Sequence, residues 1–550
     1  MMIKKCLTLP VMLIVTCAML FAQKSTPAAT PLERPKLVVG IVVDQMRWDY
    51  LYRFYNKYEN GGFKRLLNEG FACQNTMLNY IPSVTAIGHT TIFTGSVPSI
   101  HGIAGNDWID YKTGKSVYCT DDQTENSVGS ESKAGKMSPR KLLATTITDE
   151  LRMATNFQSK VVGVSLKDRA SIIPAGHNPT GAFWMDDATG RFITSTYYMK
   201  ELPAWVNTFN ASKPIEKLLA NGWNTLLPIN EYTESTADDV SWEGTLKGAA
   251  KPVFPYDAKK AYELDHGTLR QMPFGNTLTL QFARAAIDGY KLGQEKNCDF
   301  LTINCASTDY SGHLVGPNAI EIEDVYLRLD RDLAGFFSYL DQKIGKGNYL
   351  VFLTADHGAA NAEGFLESNK MPTGFLSKGF DASIGDMLKQ KFGGDKLIIS
   401  VDNFQVYFNK ARIDSLNLDF DKIKAATVDF LMQQDGIQYA ADQDKISTTS
   451  IPAIVKEMMI NGYNQQRSGS VVMITKPGWL PYYSKKGTTH SVWNPYDTHI
   501  PLIFMGWKIK PGFTTQATHM TDISATVAAL LHIQMPNGCI GQPITPICNK

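Results

Sequence analysis

The sequence contains no Cys-x-x-Cys pair, which excludes the usual thiolate zinc modules. It also lacks an excess of charge: 54 Lys and Arg face 53 Asp and Glu, for a formal net charge of +1. No basic run interrupts that balance. A nucleic-acid polymer is therefore not the expected partner, because such binders cluster Lys and Arg against phosphates. Internal repeats and low-complexity tracts are absent, which excludes solenoids and arrays. No apolar stretch reaches the roughly 20 residues of a spanning helix, so no stable membrane insertion is expected. Histidine is scarce, with 10 in 550 residues, so the position of each one is informative. Hydrophobic residues at 43% and charged residues at 19% are the balance of a folded globular chain.

The N-terminus reads as an export signal. Lys4 and Lys5 precede an apolar stretch from Leu7 to Ala22, broken only by Thr8, Pro10 and Thr16. Small Ala22 before Gln23 marks a cleavage point, giving a leader of residues 1–22. A lipoprotein cut before Cys17 is disfavoured, because Val15 and Thr16 stand where small residues are usual. The leader carries two lysines and no acid, so its loss lowers the formal charge by two, to −1. A periplasmic or secreted location follows. Residues 23–35 form a linker rich in Pro, Ala and Thr. Six cysteines remain, and export permits disulfides. Cys539 and Cys548 bracket a Pro/Gly-containing loop and are the expected pair. Cys298 and Cys305 flank a strand at Asp299–Asn304, which would hold them about 20 Å apart, too far for a bond.

The rest of the chain, 36–550, reads as one α/β catalytic domain. Leu37–Asp44 is a continuous apolar run ending in an acid, and unalternated runs mark strands buried on both faces. Lys160–Ser165, Asp299–Cys305 and Tyr349–Asp356 repeat the pattern. Amphipathic helices lie between them: Ile322, Val325, Leu329, Leu333, Phe336 and Leu340 step by three or four. Leu142–Met153 and Leu278–Leu292 are similar. This alternation predicts a mostly parallel central sheet sandwiched by helices. Residues at about 185–270 and 375–470 break the pattern and are expected to be cap insertions. One helix, Phe420–Gln433, is expected in the second.

In open α/β sheets ligands bind beyond the carboxyl ends of the strands. There the sequence places Asp44, Asp309-Tyr-Ser-Gly-His313 and Asp356-His357. His490 follows in Gly487-Thr-Thr-His490. Carboxylate and imidazole suit zinc, and each arrives from a different strand end. Singly, each feature is weak; together, in one order on one sheet edge, they predict a metal site. In Ile81-Pro-Ser-Val-Thr85, Pro82 stops a strand and a helix is expected from about Thr85 to Thr94, closed by Gly95. Its N-terminus favours an anion. Thr85 or Ser83 could merely cap that helix; beside a metal, Thr85 would instead be a nucleophile.

These residues, with Gly105-Asn106-Asp107 and Ser165-Leu-Lys167-Asp-Arg169, occur in the order found in the alkaline phosphatase superfamily. The chain most resembles its bacterial phosphate-irrepressible, exported members, from about residue 35 to 548. That resemblance implies two zinc ions roughly 4 Å apart, clamping both apical oxygens of an in-line displacement. Asp309, His313 and His490 would hold one. Asp44, Asp356 and His357, with the Thr85 hydroxyl, would hold the other. Thr85 would attack phosphorus and form a phosphothreonine. Asn106, Lys167 and Arg169 would bind the non-bridging phosphoryl oxygens. The Lys167 ammonium would stand where relatives keep magnesium, so no catalytic Mg2+ is expected.

Lys167 and Arg169, expected on one side of an extended segment, point to small-molecule phosphate monoesters. A monoester offers three free oxygens to cations, whereas a diester has one blocked. The alternative on the same scaffold is a phosphodiesterase or nucleotide pyrophosphatase. A sulfatase would need Cys or Ser in a C/S-x-P-x-R context, which Thr85 lacks. A non-catalytic zinc- or carbohydrate-binding descendant would be expected to have lost a ligand or the nucleophile. A monomer is expected.

Overall fold

Seven consecutive residues, Leu37–Val43, are all buried. A strand with no exposed face needs a neighbour on each edge and a layer on each side. A computed structural model of the protein, which describes residues 32–548, supplies both. The leader and most of the linker lie outside the described residues.

The central sheet has ten strands. Those used below are β1 (Leu37–Val43), β2 (Phe71–Cys73), β3 (Val161–Val164), β4 (Gly181–Asp186), β5 (Arg191–Ser195), β6 (Asp299–Cys305) and β7 (Tyr349–Thr354). The order β7-β1-β6-β3-β4 forms an all-parallel centre. β5 extends it antiparallel to β4. At the other side Leu502–Gly506 pairs antiparallel with β7 and with β2. The α/β expectation, a mostly parallel sheet between helices, holds.

Register decides what leaves the sheet together. Val43 pairs with Cys305 of β6, and Val42 pairs with Thr354 of β7. The three strands therefore end at one level. Asp44, the turn into α4 (below) and Asp356 emerge side by side. Five helices frame this edge: α1 (Thr85–Thr94), α2 (Asp168–Ala175), α3 (Phe274–Tyr290), α4 (Ser307–Val315) and α5 (Ile320–Leu340). α1 runs as expected, and Gly95 closes it with φ 62°, a left-handed turn that glycine adopts without strain. α3 begins four residues before its apolar periodicity. The helix expected at Leu142–Met153 instead spans Ile147–Ala154, because Thr146 and Asp149 form a capping box that fixes its start.

The two insertions differ from expectation at their edges. Around 185–270 the chain first completes the central sheet, through the β4–β5 hairpin, and only then forms short helices over it. Around 375–470 it builds a lobe with its own apolar core, including Ile384, Leu388, Phe408, Ile423 and Val471. That lobe is a four-stranded antiparallel sheet whose members include Ile398–Asp402, Gln405–Phe408 and Ile437–Asp442. Its fourth strand, Val471–Thr475, lies past the expected boundary. The Phe420–Met432 helix is joined by Phe380–Phe392 and Ala453–Gly462.

The expected Cys539–Cys548 bond does not form: both residues are free thiols. Cys539 Sγ packs against Gly95 at the end of α1, where a Cβ at Gly95 would sit 2.4 Å from it. Cys548 ends the last short helix. Alkylation of the non-reduced protein unfolded in guanidinium, read by peptide mapping, should therefore label both Cys539 and Cys548. Labelling of neither would restore the disulfide.

Candidate active site

Three carboxylates meet at the sheet edge with almost no access to water. Asp44 and Asp356 are 0% exposed and Asp309 is 4% exposed. Asp309 is in the first turn of α4, and His313 lies one turn on, its Nε2 3.1 Å from Asp309 Oδ1. His357 Nε2 stands 3.4 Å from Asp356 Oδ2 and 3.9 Å from Asp44 Oδ1. His490 Nε2 stands 3.9 Å from Asp309 Oδ1, and its ring stacks on His357 at 3.6 Å between centroids. Six of the seven expected ligand residues, all but Thr85, are thus brought together by their carboxylate and imidazole groups.

The imidazoles share one arrangement. His313 Nδ1 faces the Thr488 carbonyl at 2.9 Å, His357 Nδ1 the Gly358 carbonyl at 2.9 Å, and His490 Nδ1 the Ser83 carbonyl at 2.6 Å. A carbonyl only accepts, so each Nδ1 carries the proton and donates. Each Nε2 is left toward the carboxylates, the side on which a protein presents histidine to a metal. Asp44 Oδ1, Asp356 Oδ2 and His357 Nε2 are buried without any hydrogen-bond partner. Buried polar atoms are rarely left so, and three orphans around one point fit a cation. Ligand atoms of Asp44, Asp356 and His357 lie within 4.8 Å of one another, as do those of Asp309, His357 and His490. His357 therefore belongs to both groups, whereas His313 stands against the second, 3.1 Å from Asp309 and with its ring centroid 5.1 Å from that of His490.

Lys167 is the one ammonium among these acids. Its Nζ donates to Asp309 Oδ2 at 2.6 Å and to Asp44 Oδ2 at 2.8 Å, and it is 2% exposed. Burial opposes its charge, but Asp309 and Asp44 override that and hold its pKa above the usual lysine value. One cation cannot neutralise three buried anions, and the carboxyls divide accordingly. Burial and the repulsion of Asp356 push Asp44 well above the usual carboxylate range. Burial opposes ionisation at Asp309 too, but Lys167 and His313 outweigh it and hold that group well below its usual value. Asp356 is also lowered: burial acts against it, and His357 and His89 prevail.

Lys167 is held from behind. Its backbone N–H donates to Ser165 Oγ, which donates to Asn304 Oδ1, and the Asn304 amide donates to Asp44. The segment is not extended as expected. Lys167 is the N-cap of α2, and Arg169 already sits in its first turn. Arg169 Nη1 donates to the Tyr118 hydroxyl at 2.9 Å, and Tyr118 donates to Asp168 at 2.5 Å. The two cations are therefore aimed by a cap and a tyrosine rather than by strand alternation.

Thr85 is the first residue of α1, and Val84 is its N-cap, with no side-chain cap bond. Neither hydroxyl of the motif caps the helix. Ser83 Oγ instead donates to the Val492 carbonyl and accepts from Ser491 N–H, tethering the His490 loop to α1. Asn106 accepts from Ala86 N–H through Oδ1 at 2.9 Å, which leaves its amide NH2 as the group available to donate. One turn into α1, Gly88 admits Asp356: a Cβ there would lie 2.5 Å from the Asp356 carbonyl oxygen.

Three supporting residues were not singled out in the sequence. Gln45, at φ 62°, donates its backbone N–H to Asp356 and its amide to Asp309 at 2.7 Å. His89 Nδ1 lies 3.0 Å from the Thr85 carbonyl and 3.4 Å from Asp356 Oδ2. Asp497 accepts from the N–H groups of Ser491 and Val492, and burial pushes its carboxyl up to about 8. Only the place of His89 on the helix that Thr85 begins, and of Gln45 beside Asp44, hinted at them.

Residues 38–499 match the model of the type I phosphodiesterase / nucleotide pyrophosphatase family. Alkaline phosphatase PafA of Elizabethkingia meningoseptica is 59% identical over 539 residues, covering 98% of both chains. This chain belongs to the alkaline phosphatase superfamily, on its PafA-like branch. The crystal structure of wild-type PafA superposes with a TM-score of 0.93 over 94% of this chain and 100% of that one. Alkaline phosphatase PhoV of Synechococcus elongatus is 51% identical, again over 98% of each. A Myroides odoratus relative, 50% identical over 96% of this chain, is named a calcium-transporting ATPase. Among the described residues here, no helix is long and apolar enough to cross a membrane.

Gln45 joins both ligand groups, so Gln45→Leu should weaken metal retention about 10- to 100-fold, the usual cost of losing a group that orients ligands. Chelator competition measures this; unchanged affinity would remove Gln45 from the site.

Proposed function

We propose that the protein is an exported, zinc-dependent alkaline phosphatase that hydrolyses small-molecule phosphate monoesters through a phosphothreonine at Thr85. The observation that carries this is the buried Lys167 ammonium joining Asp44 to Asp309, in a chain 59% identical to an alkaline phosphatase. The donor set of carboxylates and Nε2 atoms suits zinc. Asp44, Asp356, His357 and Thr85 would hold one ion, and Asp309, His313 and His490 the other. When bound, the pair would supply positive charge that favours the Thr85 alkoxide and the departing oxygen.

The remaining chemistry belongs to the chain's own residues. Thr85, fixed at the start of α1, presents its oxygen where the helix dipole favours an incoming phosphoryl anion. The Asn106 amide donates to one non-bridging oxygen, and Lys167 and Arg169 offer charge-assisted hydrogen bonds to the others. The P–O bond to the alcohol breaks as the Thr85–phosphorus bond forms. Water then attacks from the side the alcohol has left and regenerates Thr85 with release of inorganic phosphate. Lys167 lies where a third cation would otherwise be needed to balance Asp44 and Asp309, which supports a mechanism without catalytic Mg2+.

The second reading, a phosphodiesterase, is favoured by the name of the matching family model. Comparing p-nitrophenyl phosphate with its bis-ester on zinc-loaded protein decides between them. Monoester kcat/KM should exceed diester kcat/KM by orders of magnitude, and faster diester turnover would overturn the proposal. Thr85→Ala should remove most turnover of both. Lys167→Ala should cut monoester kcat/KM about 10- to 100-fold, the cost of one charge-assisted bond of roughly 1.5–3 kcal/mol. Diester turnover should fall much less; an equal fall would mean that Lys167 only supports Asp44 and Asp309.

A further inference from the structure

A second feature opens between the lobe and the loop that carries His490. It is a cavity of about 330 Å³. Two of its lining residues tie it to the chemistry. Ser491 follows His490 directly, and Asn403 reaches the backbone of Gly105, where a Cβ would lie 3.0 Å from its side-chain nitrogen. Gly105 precedes Asn106. The Tyr483 hydroxyl reaches Thr489, the residue before His490. The cavity therefore spans from the Asn106 segment to the His490 loop, the two segments that flank the phosphoryl position.

Its lining has a definite chemistry. Phe380, Phe404, Tyr482 and Tyr483 supply aromatic surface. Tyr482 and Tyr483 are exposed, Tyr483 at 81%, whereas Phe380 belongs to the lobe core and Phe404 packs against it. Asp381 and Asp402 supply carboxylates, and no Lys, Arg or His lines the cavity. Asp381 is exposed and Asp402 half-buried. Burial raises both carboxyls, and repulsion from Asp107 adds to this at Asp402. Neither carboxyl has a salt-bridge partner among the described residues, although ion pairs are frequent elsewhere on the lobe, as at Lys424 with Asp442 and Asp444.

We propose that this cavity receives the alcohol portion of the substrate and selects phosphate monoesters whose alcohol carries an alkylammonium group. The inference rests on the phosphomonoesterase reading and adds the leaving-group class to it. Aromatic faces attract a cation through their quadrupole, and the two carboxylates attract it by charge. A second anionic group on the alcohol would meet those carboxylates and be repelled. A neutral alkyl alcohol would gain only apolar burial. The lobe thus contributes the discrimination that the phosphoryl site, common to every monoester, cannot provide.

Choline phosphate and 3,3-dimethylbutyl phosphate test this, because they share a shape and differ by one charge. Their kcat/KM ratio is compared in the zinc-loaded wild type, in Asp381→Asn, in Asp402→Asn and in the double variant, which cancels the intrinsic reactivity of the two alcohols. Asn at 402 can still accept the hydrogen bond that the Asn403 amide gives to Asp402. The choline-to-dimethylbutyl ratio should fall about 3- to 10-fold in the double variant, and turnover of 2-carboxyethyl phosphate relative to dimethylbutyl phosphate should rise. Ratios unchanged across all variants would overturn the proposal. Saturation-transfer NMR of the bare alcohols gives a readout independent of catalysis. Choline should contact the wild type more strongly than 3,3-dimethylbutan-1-ol and lose that advantage in the double variant; equal contact in the wild type would also overturn it. A wild type that hydrolyses none of these esters would overturn the monoesterase reading instead, while the NMR arm would still decide the cavity.

Discussion

Three carboxylates share one dry sheet edge with a single ammonium, and most of the surrounding structure follows from that imbalance. Burying an ion without compensation is costly, so such groups are paired, neutralised or bound to metal. Asp309 and Asp356 stay ionised by drawing on Lys167 and neighbouring imidazoles, and Asp44 is driven toward its neutral form. Two buried oxygens and one imidazole nitrogen remain with no partner. The interior is complete only with added cations, so cation binding and folding stability are coupled.

The fold makes that arrangement unavoidable. Parallel strands pairing in the register Val43 to Cys305 and Val42 to Thr354 must end together. Whatever follows them is forced into one place. Gly88 lets α1 close on Asp356, which brings Thr85 to the same edge. Ser83 and Asp497 then hold the His490 loop from two directions, although it is far away in sequence. Ser83 serves twice, because its carbonyl also accepts from His490 Nδ1 and so sets that tautomer. The lobe has its own apolar core and contributes no residue to the carboxylate cluster.

Much of this was legible in the chain because the signals are local. A strand buried on both faces shows as an unbroken apolar run, so β1, β6 and β7 could be read directly. Asp309 and His313 are spaced for one helical face, and Thr85 to Gly95 carries its own stop. Other parts depend on contacts that no local pattern encodes. Gln45 acquires its role from a left-handed backbone and from reaching across to Asp309. The placement of Lys167 and Arg169 was misread because α2 starts one residue earlier than strand alternation required. The lobe's strands pair antiparallel with shifted registers, which blurs their period and hid the fourth strand. Cys539 and Cys548 looked paired by proximity in sequence, yet packing against Gly95 takes Cys539 elsewhere.

Anomalous diffraction at the zinc edge, from crystals of the zinc-loaded protein, tests the electrostatic account most directly. It predicts two strong peaks within ligand distance of the described side chains. One should lie among Asp44, Asp356 and His357 and the other among Asp309, His313 and His490, with the Lys167 ammonium between Asp44 and Asp309. No peak at this sheet edge in fully folded protein would show that the carboxylates are neutralised without metal, and a single peak that one group of ligands alone holds would show that the second group needs none; either would contradict the account.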